Sequence, residues 1–140
     1  MERYRMLPHT ADAKFEAFGA TLDEAYGNAA LALASLMWDW AAVEPRLELA
    51  VRVEGRDKEQ LLVRFLGEIL YLAETRRFLL GGVSGLRLEP RAAGFSLEAA
   101  LCGDTASARY PVYGSVKAVT YNEMVIEERD GCRVQVVVDV

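Results

Sequence analysis

Histidine is nearly missing from this 140-residue chain, with His9 standing alone. Cysteine is scarce too, limited to Cys102 and Cys132. Three soft ligands scattered in this way match no zinc spacing, and two cysteines make no disulfide framework. They read as small buried or half-buried residues. Any metal must therefore be held by oxygen, which points to Ca²⁺, Mg²⁺ or Mn²⁺. Basic charge is short as well: 16 Lys and Arg stand against 21 Asp and Glu, for a net charge of −5. That balance excludes strong direct binding of nucleic acid, because phosphate neutralisation supplies most of that affinity. Among the basic residues only Lys14, Lys58 and Lys117 are lysine, so each is conspicuous. No apolar run reaches the roughly 20 residues that cross a bilayer. The Met1-Glu2-Arg3-Tyr4 start has no hydrophobic signal core. We expect a cytoplasmic protein. There is no glycine-rich phosphate loop and no nucleophile elbow, so no nucleotide-binding or acyl-transfer motif is read.

What is present suits one globular domain over residues 1–140, with 52% hydrophobic and 26% charged residues. No repeat or linker interrupts it. Two helices are legible. Thr21-Leu22-Asp23-Glu24 fits a capping box, and Leu22, Ala25, Tyr26, Ala29, Ala30, Leu33, Leu36 and Met37 follow at helical spacing, predicting a helix to about Trp38. Gly27 in this run costs about 1 kcal/mol relative to alanine, or permits close packing. A second helix starts after Asp57, a cap with Gln60 three residues on. Leu61, Leu62, Phe65, Leu66, Ile69, Leu70 and Ala73 form its apolar stripe. The remainder alternates as strands: residues 47–54, 95–102, 115–128 and 132–140, with Asp130-Gly131 as a hairpin signal between the last two. Gly81-Gly82 reads as a turn. Arg76-Arg77 reads as a solvated helix end, and one of Trp38 and Trp40 as core. The order predicts an α+β fold, a mostly antiparallel or mixed sheet with two main helices packed on one side.

Strand parity singles out carboxylates. Asp12, Lys14, Glu16 and Phe18 share one face of the first strand, and Ala11, Ala13, Phe15 and Ala17 the other. Near the end, Val134, Val136, Val138 and Val140 share a face, and Asp139 points opposite with Val137, Gln135 and Arg133. Should these strands be neighbours, Asp12, Asp139 and the α-carboxylate of Val140 would meet. Without a cation the group is repulsive and a pKa rises; with Ca²⁺ or Mg²⁺ it is a hard-oxygen site. The other reading is an edge strand ending in solvent. His9 and Asp12 likewise stand open between a turn or cap pair and an acid/base or metal role. Lys117 projects opposite to Val116 and Ala118, either as a solvated edge lysine or as a cation for carboxylates or phosphate.

Taken together, His9-Thr10-Ala11-Asp12, Gly19 with the Thr21-Leu22-Asp23-Glu24-Ala25 helix start, Lys117-Ala118-Val119-Thr120-Tyr121 and a terminal Val138-Asp139-Val140 resemble the archease family almost end to end. The resemblance implies a small cytoplasmic protein that is not itself an enzyme. It implies a cofactor of the manganese-dependent, GTP-using tRNA-splicing RNA ligase, promoting the ligase's guanylylation and multiple turnover in tRNA processing. It implies a divalent-cation site at Asp12, Asp139 and Val140, filled by Ca²⁺ in a crystal, with Mg²⁺ and Mn²⁺ as the alternatives. Lys117 matches the lysine of the family's strand motif, and His9 would face the metal ligands or the partner. Asn122 stands where the family commonly has histidine; asparagine hydrogen-bonds but does not titrate near neutrality. Two other roles compete: a chaperone-like modulator of a tRNA methyltransferase or other RNA-modifying enzymes, and a stand-alone metal-dependent phosphoesterase.

Overall fold

A computed structural model describes residues 1–8 and 12–140. In chain order the elements are β1 (Tyr4–Leu7), β2 (Ala13–Gly19), α1 (Leu22–Ser35), a 3-10 turn (Trp40–Ala42), β3 (Leu47–Gly55), α2 (Lys58–Arg76), β4 (Phe78–Arg91), β5 (Gly94–Thr105), β6 (Ala118–Glu127) and β7 (Cys132–Asp139). The fold is α+β. Its strands form two sheets, ordered β1-β2-β7-β6 and β3-β5-β4, and every strand pairing among the described residues is antiparallel. No described helix is long and apolar enough to cross a membrane.

Both helices begin where the capping chemistry places them. Thr21 Oγ1 accepts from the Glu24 N–H at 3.2 Å, and Asp57 Oδ1 from the Gln60 N–H at 2.7 Å. Each satisfies an otherwise orphaned first-turn donor, worth about 1 kcal/mol. The Gln60 side chain reaches back to the Arg56 N–H at 2.9 Å. Helix α1 packs against β2 and β7 of one sheet and β4 of the other, so it is buried on nearly every side, Ala29 to Ala34 included. Its alanines allow that close approach. Helix α2 keeps the one-sided stripe, burying Leu61, Leu62, Phe65, Leu66, Ile69 and Leu72. One apolar cluster joins both sheets and both helices.

Several sequence expectations shift. Helix α1 ends at Ser35, earlier than Trp38. Trp38 is buried instead, with its indole N–H donating to the Leu80 carbonyl at 2.9 Å and its backbone bridged to Val112. Trp40 is half-buried, and its indole donates to the Tyr4 hydroxyl at 3.0 Å. Gly81-Gly82 is no turn: both lie inside the 14-residue β4, at a bulge between Leu80 and Gly82. A Cβ on Gly81 would sit 2.9 Å from the Val43 carbonyl oxygen, so the glycine permits that close crossing. Gly27, by contrast, has ordinary room for a Cβ, the nearest Val83 atoms being 3.9 Å away, so close packing does not explain it. Strand β1, pairing Tyr4 with Ala17 through to Leu7 with Lys14, has no counterpart in the sequence reading. Cys102 and Cys132 are free thiols, both half-buried.

Candidate functional site

The centre of the four-stranded sheet is β7, and the chain stops one residue beyond it. Strand β2 lies on one side in the register Ala13 to Val138, and β6 on the other in the register Ala118 to Asp139. Asp12, in the bend before β2, and Asp139, the last residue of β7, are the next residues beyond the Ala13–Val138 pair. Residues directly opposite one another in an antiparallel pair have Cα atoms about 4.5–5.5 Å apart. Both aspartates are half-buried. The pairing of β2 with β7 brings side by side the two strand ends next to which Asp12 and Asp139 stand. Two side-chain carboxylates are hard-oxygen donors, suited to Ca²⁺, Mg²⁺ or Mn²⁺ and ill suited to zinc. Among the described residues, no group of three or more His, Cys, Asp or Glu side chains is placed to hold a metal ion. His9, with Thr10 and Ala11, lies outside the described residues.

Lys117 immediately precedes β6, and its backbone N–H donates to the Asp139 carbonyl at 2.8 Å. This bond ties the last strand residue to the neighbouring chain and fixes the end of the sheet. The Lys117 side chain is exposed. Continuing the β6 register pairs Lys117 with Val140, so parity puts it on the face opposite to Asp12 and Asp139. It lines a groove on that side.

Asn122 sits in a feature invisible to the sequence pattern. Thr120 pairs with Val137, but the next partners are Val125 and Gln135. Residues 121–124 therefore form a wide bulge, and Glu123 takes a left-handed backbone, φ 50°. The Thr120 hydroxyl donates to the Val137 carbonyl at 2.8 Å and accepts from the Asn122 N–H at 3.2 Å. The Gln135 side-chain amide donates to the Glu123 carbonyl at 2.7 Å. Lys14, whose side chain is only 17% exposed, meets the Glu123 carboxylate at 3.1 Å. These groups close over the face turned away from the core, and Val137 on that face is 1% exposed. Bulges of this kind re-aim side chains and concentrate beside functional sites. Lys14 and Glu123 are the contributors the sequence reading missed. The parity of Lys14 with Asp12 was visible, but its partner 109 residues on was not.

Farther along the same sheet Arg133 bonds Glu16 at 2.7 Å and Glu127 at 3.3 Å. The Glu16 hydrogen bond, the largest cause, holds the Arg133 guanidinium above its ordinary pKa against the opposing effect of burial, with the Glu127 bond adding to the rise.

Comparison with known proteins agrees with this architecture. The archease protein family matches residues 4–140. A protein archease of Pyrobaculum neutrophilum is 39% identical over 140 residues, covering 98% of this chain and 95% of that one. A protein archease of Methanosarcina acetivorans is 36% identical, covering 99% and 97%. The solution structure of Methanobacterium thermoautotrophicum protein 1598 superposes with a TM-score of 0.85 at 30% identity, covering 100% of both chains. The chain belongs to the archease protein family.

Proposed function

We propose that this protein is a non-catalytic cofactor of the GTP- and manganese-dependent tRNA-splicing RNA ligase. It promotes the ligase's guanylylation and multiple turnover through a divalent-cation site at Asp12, Asp139 and the α-carboxylate of Val140. Family membership supports the partner. The observation that supports the site is the antiparallel pairing of β2 with β7, which runs to Ala13 and Val138, the chain neighbours of Asp12 and Asp139. Like charges directly opposite across strands are destabilising, and a hard cation turns that repulsion into coordination. When bound, such a cation supplies concentrated positive charge for phosphate groups.

The protein's own residues then divide the work. Asp12 and Asp139 hold the ion, and the Lys117 N–H bond to the Asp139 carbonyl keeps the strand end in place. The exposed Lys117 ammonium is available to a partner's phosphate or carboxylate. The Asn122 side chain can donate and accept hydrogen bonds from its bulge but does not titrate near neutrality, so no proton shuttle passes through it.

The test is a time course of radiolabelled GMP transfer onto the cognate ligase. Wild type accelerates transfer, and Asp12→Ala, Asp139→Ala and Lys117→Ala variants lose the acceleration while keeping their fold. Full stimulation by the aspartate variants at limiting and at excess metal would sink the metal-site reading. No acceleration by folded wild type would move a chaperone-like role toward a tRNA methyltransferase to the front.

A further inference from the structure

On the other side of the same sheet end, the chain between β5 and β6 crosses the end of α1 as a strap. The Tyr113 N–H donates to the Met37 carbonyl at 2.9 Å, and its hydroxyl to the Ser35 carbonyl at 2.7 Å. A Cβ on Gly114 would lie 2.3 Å from the Leu36 carbonyl oxygen, so only glycine lets the strap lie this close. Tyr110, buried at 5% exposure, anchors it further back, donating to Asp104 at 2.6 Å and accepting from the Glu44 N–H at 3.3 Å.

Between this strap and the last turns of α2 runs a groove of about 440 Å³. Its floor is apolar, including Trp38, Leu70, Ala73 and Val116. At its rim, Val112 is 57% exposed. Lys117 and Arg77 also line it, against the single carboxylate of Glu74. Neither cation takes part in an ion pair among the described residues. On a chain of net charge −5 this rim is a positive exception. Arg77 adds a second observation. It caps α2 in the left-handed conformation, φ 54°, with the Ala106 N–H donating to its carbonyl at 2.7 Å. Glycine adopts that backbone at lowest cost, and a side chain there costs about 1 kcal/mol or more. The chain instead holds an exposed arginine there, over an apolar groove. Strain kept at an exposed position is a mark of function.

We propose that this groove is the anchor for a protein segment of the ligase partner that offers an apolar side chain beside a carboxylate. The inference rests on the function proposed above. The apolar floor selects a protein segment over bare phosphates, and the Arg77 and Lys117 cations select its acidic character. Lys117 belongs to both sites: its backbone binds Asp139 and its side chain lines the groove. Docking here brings the aspartate end to the partner's surface without covering it.

The test measures binding of the cognate ligase by wild type and by two variants. Ala73→Arg fills the floor, and Arg77→Asn removes a rim charge with a residue that tolerates the left-handed backbone. Ala73→Arg is expected to weaken binding at least about tenfold, equal to about 1.4 kcal/mol, and Arg77→Asn by a smaller factor. Both should keep the wild-type melting curve and the wild-type thermal response to Ca²⁺. Wild-type affinity in both folded variants would overturn the groove and leave the cofactor role standing. Failure of wild type itself to bind would remove the cofactor role and the groove with it. A wild-type dimer in light scattering that Ala73→Arg dissociates would give the groove to a second copy of this chain and overturn the proposal. Should Ala73→Arg fail to fold, Arg77→Asn decides.

Discussion

The outer face of the three-stranded sheet and the Asp12–Asp139 end of the four-stranded sheet differ in the charges they carry. On the three-stranded sheet, Arg52 meets Glu98 at 3.4 Å, Arg87 meets Glu98 at 3.0 Å, and Arg91 meets Glu89 at 3.0 Å. Each cation there has a carboxylate across the strand or two residues along it, and all of these side chains are well exposed. At the end of the four-stranded sheet, the Ala13 to Val138 pairing leaves two aspartates, Asp12 and Asp139, next in line on neighbouring strands. Opposite charges paired across strands contribute roughly 0.2–1 kcal/mol, and like charges oppose folding by a similar amount. Under the proposed function, that aspartate pair is held for a cation and not for stability.

That contrast can be broken from either side. The largest effect should come from Val137→Ala. Although Val137 points away from the main core, it is as buried as a core residue. Removing its two methyl groups should cost about 2 kcal/mol in urea denaturation. A cost near zero would mean that the bulge does not seal this face. Next, Lys14→Ala should cost about 1 kcal/mol, the upper range for a partly exposed pair, and should also weaken Ca²⁺ binding as the bulge loosens. An Asp139→Asn variant sharpens the comparison with the sign reversed. In chelator it should be more stable than wild type by up to about 0.5–1 kcal/mol, and with excess Ca²⁺ less stable. Arg87→Ala, on the balanced sheet, should stay within about 0.5 kcal/mol of wild type.

Much of this was legible in the sequence because it rests on local rules. Thr21 and Asp57 announce the helix starts through hydroxyl and carboxylate acceptors. The period of two places Asp12 and Asp139 on the faces they occupy. What was not legible is non-local. Nothing in residues 132–139 says that β7 sits between β2 and β6, and nothing in the alternation divides the strands into two sheets. The bulge at 121–124 was hidden because Tyr121, Met124 and Val125 are good strand formers either way. Gly81-Gly82 looks like a turn, yet it serves a close crossing by Val43 that no local pattern reveals. Arg77 read as a solvated helix end, and its meaning comes only from the strap that folds back beside it.

The central claim is that Asp12 and Asp139 form one divalent-cation site. It is tested most directly by calorimetric titration of Ca²⁺ into wild type and into the Asp12→Asn and Asp139→Asn variants. The account predicts one site per chain in wild type and its loss in each variant, with all three folded. Equal binding by all three proteins, or none by wild type, would contradict it.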